Sequence, residues 1–171
     1  MTDSRIISRA QSADVRFATP ADVDALMYLG QMAAAENGIG GVDIEKLLGV
    51  VWRGVTHNGA IAGLIEGPAG QPEGVTLMLV EEQGHSRDKV LVEQTVYVHP
   101  DFRSARGGRA AKLLEFNISV AKRMGLPLLI GILSNDRTAA KIRLYERMLG
   151  KPAGAYWLFA PNADKYSEAA E

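Results

Sequence analysis

Four cationic side chains, Arg103, Arg106, Arg109 and Lys112, fall within ten residues of one another and bracket the pair Gly107-Gly108. Their surroundings, EQTVYVHPDFRSARGGRAAKLL from Glu93 to Leu114, read as a strand, a short loop and the first turns of a helix. Such an order binds anions. The first N–H groups of a helix have no partner within it, and the helix dipole favours negative charge there. The chemistry that these residues offer is therefore capture of a phosphate-bearing ligand.

The rest of the chain narrows the alternatives. The formal net charge is -1 over 171 residues, so the basic cluster is a local feature. No aromatic residues interleave with its cations, which argues against a nucleic-acid module. There is no cysteine, which excludes disulfides, thiolate metal sites and a cysteine nucleophile. His57, His85 and His99 are scattered: His99 precedes Pro100 as a turn residue, and the other two belong to surface loops. No cluster of histidines and acids has metal-ligand spacing, so no metal is implied. The N-terminus lacks the apolar run of a signal peptide, and no segment approaches the roughly 20 apolar residues of a membrane span. The expectation is a cytoplasmic protein with no membrane partner. Its length suits one domain, 1–171, with residues 1–13 as a loose arm and 161–171 as a solvated tail.

The elements that must position the cluster follow in order. Val15 to Ala18 reads as a short strand. Thr19-Pro20-Ala21-Asp22 is a helix start, with Thr as N-cap, Pro at the first position and an acid in the first turn. That helix ends at Asn37-Gly38, and a second begins at Asp43 and carries Leu47, Leu48, Val51 and Trp52. Asn58-Gly59 marks a turn. AIAGLIEG is then a strand, PAGQPEG a loop, VTLMLVEE a strand and KVLVEQTVYV the long strand that enters the basic loop. A helix spans 109–124, with Leu114, Ile118 and Ala121 on one face and Gly125 as its stop. LLIGIL at 128–133 reads as a strand covered on both faces. A helix through Ile142, Tyr145 and Met148 closes at Gly150, and Tyr156 to Ala160 gives a last strand. The order is β-α-α-β-β-β-α-β-α-β. It defines an α/β (α+β) class with a mixed, mostly antiparallel sheet, helices on both faces, and one parallel crossover around the 109–124 helix.

Two blocks carry a family resemblance. VHPDFRSARGGRAAKLL resembles the acetyl-CoA-binding motif of the GNAT-type N-acetyltransferases, and SNDRTAAKIRLYERMLGKPAGAYW resembles that family's next motif. The resemblance implies the GNAT acyl-CoA N-acyltransferase fold, acetyl-CoA as cosubstrate, and acetyl transfer to a primary amine. Position by position, it implies that the backbone of Val96, Tyr97 and Val98 pairs with the pantetheine arm as an added strand. The loop Arg103, Ser104, Ala105, Arg106, Gly107, Gly108, with Arg109 at the helix start, wraps the pyrophosphate. Asn135 hydrogen-bonds the pantetheine arm, and Tyr145 protonates the departing thiolate.

The chain departs from the family pattern twice. Arg106 stands where the pattern has its first glycine, and the favoured reading is that it keeps an ordinary backbone and aims its guanidinium at a CoA phosphate. The glutamate that some branches carry on the fourth strand falls by offset on Val92, with Glu93 beside it. Side chains alternate faces along a strand, so Glu93 can serve as base only if a bulge absorbs the slip. A water relay through backbone carbonyls is the alternative. The acceptor, a small molecule or a peptide amine, is not legible, although Trp52 lies where the family lines its acceptor pocket. The family's final strand is either missing after Ala160 or completed by a partner chain, which makes a homodimer a hypothesis. A non-catalytic acyl-CoA-binding domain of the same fold is the rival reading.

Overall fold

The computed structural model describes residues 15–37, 40–103, 108–132 and 138–155. Its elements are β1 (Arg16–Phe17), α1 (Val23–Asn37), α2 (Ile44–Val55), β2 (Ala60–Glu66), β3 (Pro72–Glu82), β4 (Lys89–Val98), α3 (Arg109–Met124), β5 (Leu128–Leu129) and α4 (Thr138–Leu149). Short 3-10 turns at Pro20–Asp22 and Pro100–Phe102 precede α1 and the basic loop. The strands lie in chain order, β1-β2-β3-β4-β5. The first three pairings are antiparallel and β4–β5 is parallel, as a helical crossover through α3 requires.

Strand alternation sorts the core into two layers. Ala62 and Leu64 of β2, with Val75 and Leu77 of β3, pack beneath Leu26 and Leu29 of α1 and Val51 and Val55 of α2. Ile61, Ile65 and Met78 turn to the other face, beneath Leu113, Phe116 and Val120 of α3. β2 is buried along six consecutive residues, because helices cover both of its faces. Close approach depends on glycine at two places. A Cβ at Gly54 would stand 2.7 Å from Leu77 Cδ1, and one at Gly63 would stand 2.7 Å from Phe116 Cε1. No described helix is long and apolar enough to cross a membrane.

β1 is trimmed from Val15–Ala18 to Arg16–Phe17, the helix expected from Pro20 divides into a 3-10 turn and α1 from Val23, and two further strand boundaries move. β3 starts at Pro72, not Val75, because a tight turn over Gly67–Gln71 returns the chain early, with Gly67 N–H donating to Gln71 O at 2.9 Å. Glu73 thereby enters the sheet with 5% of its surface exposed. β5 shrinks from 128–133 to Leu128–Leu129, because its pairing with β4 stops at Val92↔Leu129. The expected strand at 156–160 lies outside the described residues.

Candidate active site

α3 begins at Gly108, whose φ of 57° and ψ of 34° are left-handed, a conformation that glycine adopts without a Cβ penalty. The Lys112 N–H donates to Gly108 O at 3.0 Å and closes the first turn. The N–H groups of Arg109, Ala110 and Ala111 consequently have no partner within the helix, and Gly108 at the N-cap has no side chain to cap them. A cavity of about 310 Å³ opens onto this turn. Its other walls are the Val96–Val98 end of β4 and the Ala140, Lys141, Leu144 and Tyr145 face of α4. Free N–H groups beside a helix N-terminus, against an open strand edge, suit a pyrophosphate followed by an extended amide-bearing arm.

Ladder geometry decides which β4 groups face that arm. The His99 N–H donates to Glu73 O at 2.9 Å, so Tyr97, two residues earlier, also turns its backbone toward β3. Val96 and Val98 therefore present theirs to the other edge, where no described residue of β5 pairs with them. Of these, the Val98 carbonyl already accepts from Arg103 Nε at 2.8 Å. Val96 offers both N–H and C=O, and Val98 its N–H.

The two described arginines of the cluster hold the site together. Arg103 spans from Val98 O to the Glu36 carboxylate at the end of α1 and lies over the Tyr97 ring, 4.9 Å from its centroid. The Tyr97 hydroxyl donates to the same carboxylate at 3.1 Å. Burial, and next the Glu36 charge, push the Tyr97 hydroxyl up to about 12. Arg103's own N–H donates to Pro100 O at 3.1 Å within the 3-10 turn, so it is engaged inside the protein. Arg109 Nε donates to the buried Glu73 carboxylate, which also accepts from Gln71 Nε2 at 3.0 Å. The Arg109 guanidinium caps the Phe102 ring at 5.2 Å.

The base question turns on a bulge. β4 shifts register between its pairs Leu77↔Thr95 and Met78↔Glu93, which leaves Gln94 as the extra residue. Leu91 packs with α3, whereas Tyr97 packs with α1 and α2, although both positions are odd-numbered. The strand thus contains the one-residue correction that the slip between Val92 and Glu93 demands. The Tyr145 hydroxyl of α4 donates to Glu93 Oε2 at 3.5 Å. Burial pushes the Glu93 carboxyl up to about 7, against the opposing pull of the Lys141 charge and the Tyr145 hydrogen bond. Burial also raises the Tyr145 hydroxyl, and the Glu93 charge adds to it.

The structure therefore brings together Glu93, Val96, Tyr97, Val98, Arg103, Gly108, Arg109 and Tyr145. Ser104, Ala105, Arg106, Gly107 and Asn135 lie outside the described residues. Sequence reasoning missed Glu36 and Lys141, which line the cavity, and Glu73, which anchors Arg109. Glu36 and Glu73 are single charges with no motif around them, and Lys141 lies within the second block without a role assigned to it. Only the Glu93 offset hinted at the bulge. Among the described residues, no group of three or more acids and histidines is placed to hold a metal ion.

No protein-family profile matches the chain, and no curated protein matches it in sequence. Solved structures do match in fold. AAC(6')-Iy in complex with the bisubstrate analogue CoA-S-monomethyl-acetylneamine aligns with a TM-score of 0.65 at 10% identity, over 87% of this chain and 97% of that one. A ribosomal-protein-alanine N-acetyltransferase from Brucella melitensis biovar Abortus 2308 aligns with a TM-score of 0.62 at 16% identity, over 86% and 99%. The aminoglycoside 6'-N-acetyltransferase AAC(6')-IG from Acinetobacter haemolyticus gives 0.62 at 14% identity, over 87% and 97%. The architecture is the GNAT acetyltransferase fold.

Proposed function

We propose that this chain transfers the acetyl group of acetyl-CoA to a primary amine, with Glu93 as base and Tyr145 as acid. The observation that carries the reading is the convergence on one cavity of three features. These are the uncapped α3 N-terminus, the open Val96–Val98 edge, and Tyr145 hydrogen-bonded to a carboxyl held near neutrality. When bound, acetyl-CoA supplies an activated acyl carbon and a thiolate leaving group.

The remaining work belongs to side chains and backbone. Ala110 and Ala111 N–H groups meet the pyrophosphate, and Val96 with the Val98 N–H fixes the arm. Positioning of this kind supplies up to ~7–11 kcal/mol. A backbone N–H at the open β4 edge donates to the developing oxyanion. Glu93 takes a proton from the acceptor's ammonium, and the neutral amine so formed attacks the thioester carbon to make the C–N bond. Tyr145 gives its proton to sulfur as the C–S bond breaks. Their hydrogen bond lets Glu93 return its proton to Tyr145, and the second ammonium proton leaves to solvent.

The acceptor is a small-molecule or peptide amine, the two kinds that the aminoglycoside and ribosomal-protein enzymes of this fold are named for. Thiol release from acetyl-CoA over a panel of aminoglycosides, alkylamines and peptide N-termini tests the reading, with Tyr145→Phe as control. Release with at least one amine, lost in the variant, is expected. Coenzyme binding without turnover on any amine would overturn it in favour of an acyl-CoA sensor.

A further inference from the structure

Two wholly buried polar side chains lie beneath the β4 bulge and take no part in the proposed chemistry. Thr76 of β3 and Asn117 of α3 are each 0% exposed. Thr76 Oγ1 stands 3.1 Å from Thr95 O and 2.9 Å from Asn117 Oδ1. Thr95 is the residue immediately after the extra Gln94. A carbonyl that accepts a hydroxyl on a neighbouring strand has been tipped from the plane of the ladder, as a bulge does. The hydroxyl carries one proton. Given to Thr95 O, it leaves the Oγ1 lone pairs to accept from the Asn117 carboxamide turned with its NH2 toward them. That arrangement gives a partner to Asn117 Nδ2, which is otherwise buried without one, and moves Oδ1 to the unpartnered place. Close packing brings α3 within reach. Phe116 sits against Gly63, where a Cβ would be 2.7 Å from its ring, and Asn117 follows it in sequence.

We propose that Asn117, Thr76 and Thr95 O form a buried brace that fixes the Gln94 bulge and thereby aims Glu93 at Tyr145. Thr76 and Asn117 are positioning residues, and the catalytic half of the proposal rests on the reading of Glu93 as base. The brace explains why two polar groups occupy a layer otherwise made of Met78, Leu91, Leu113 and Phe116. It also gives α3 a second role, since its N-terminus faces the cavity while its middle holds the strand that carries the base. A shift of the carboxylate by about 1 Å is enough to cost on the order of a hundredfold in rate.

The test compares Thr76→Val, which keeps shape and loses the hydroxyl, with Thr76→Ser, which keeps the hydroxyl. In Thr76→Val, kcat is expected to fall about 10–100-fold with little change in the acetyl-CoA KM. The pH midpoint assigned to Glu93 moves, and exchange protection at the Thr95 and Tyr97 amides drops. Thr76→Ser restores all three. Equal loss in both variants means that the hydroxyl without threonine's methyl does not hold the bulge, and it overturns the brace. Unchanged kinetics, midpoint and exchange in Thr76→Val overturn it as well. Amide exchange is read without turnover. If Glu93→Gln proves fully active, the base assignment fails, while the exchange data still decide whether the brace holds the bulge.

Discussion

The Tyr145 hydroxyl donates to Glu93 Oε2 across 3.5 Å, so the residues assigned as acid and base share one hydrogen bond. That bond favours the ionised carboxylate and the neutral phenol. Replacing Tyr145 with Phe therefore acts twice. It removes the donor to sulfur, which lowers kcat by about 10²–10⁴-fold. It also removes a group that lowers the Glu93 value, so the midpoint moves above about 7. The pH profiles of kcat/KM for both proteins measure the two effects, and an unshifted midpoint contradicts the pairing.

Glu93→Gln separates chemistry from stability. The rate at pH 8 is expected to fall about 10²–10⁴-fold, with loss of the rise through neutrality. Stability moves the opposite way. Burial raises the folded carboxyl from 4.5 to about 7, so the ionised form opposes folding. That cost is absent below the unfolded value and complete above the folded one. The glutamine variant should gain about 1–3 kcal/mol at pH 8 and nothing at pH 4, as read from denaturant unfolding at each pH. An equal gain at both would point to packing.

Much of this was legible before the fold was known. The Thr19-Pro20 opening of the 3-10 turn that leads into α1 and the Gly125 stop of α3 are local signals, because capping and positive φ depend on residues next to one another. The bulge was half legible. Its need showed in the offset between Val92 and Glu93, but its place is set by pairing with β3. Glu36 and Glu73 were invisible: their partners Arg103 and Arg109 lie 67 and 36 positions away, and no local pattern encodes such a pairing. The early start of β3 escaped because Pro72 reads as loop until Glu66 of β2 pairs with it, and Glu73 until its carbonyl accepts from the His99 N–H.

Arg109 is expected to matter to folding as well as to the ligand. Glu73 is 5% exposed, and Arg109 is the charge that offsets it. Arg109→Ala leaves that carboxylate buried, with Gln71 as its remaining partner, at a cost of about 3–5 kcal/mol. Adding Glu73→Gln removes the stranded charge and should recover much of the loss. Chemical denaturation of the single and double variants checks both statements.

Asp22 supplies an acid-sensitive clamp far from the cavity. Its two oxygens accept from Arg16 Nη1 and Nη2, each at 2.7 Å, and Oδ2 accepts from the Thr19 N–H. The Arg16 hydrogen bonds hold its carboxyl down at about 2, below the ordinary 3.8. The stabilisation is complete above the unfolded value and disappears as the pH falls through the folded one. Asp22→Asn should cost about 1–2 kcal/mol at pH 7, allowing for the solvent around Arg16. The gap from the parent should close as the pH falls from about 3.8 to about 2. A constant gap in acid would contradict the ion pair.

The most direct test of the account is a calorimetric titration of acetyl-CoA into the parent protein and into Ala110→Glu. A glutamate in the first turn favours the α3 dipole, so the variant should fold. It also places a negative charge where the pyrophosphate is proposed to meet Ala110 and Ala111. One-to-one binding to the parent, weakened at least about tenfold (on the order of 1.4 kcal/mol) in the variant, is the predicted result. No binding by the parent, or equal binding by both proteins, would contradict the assignment of this cavity to acetyl-CoA.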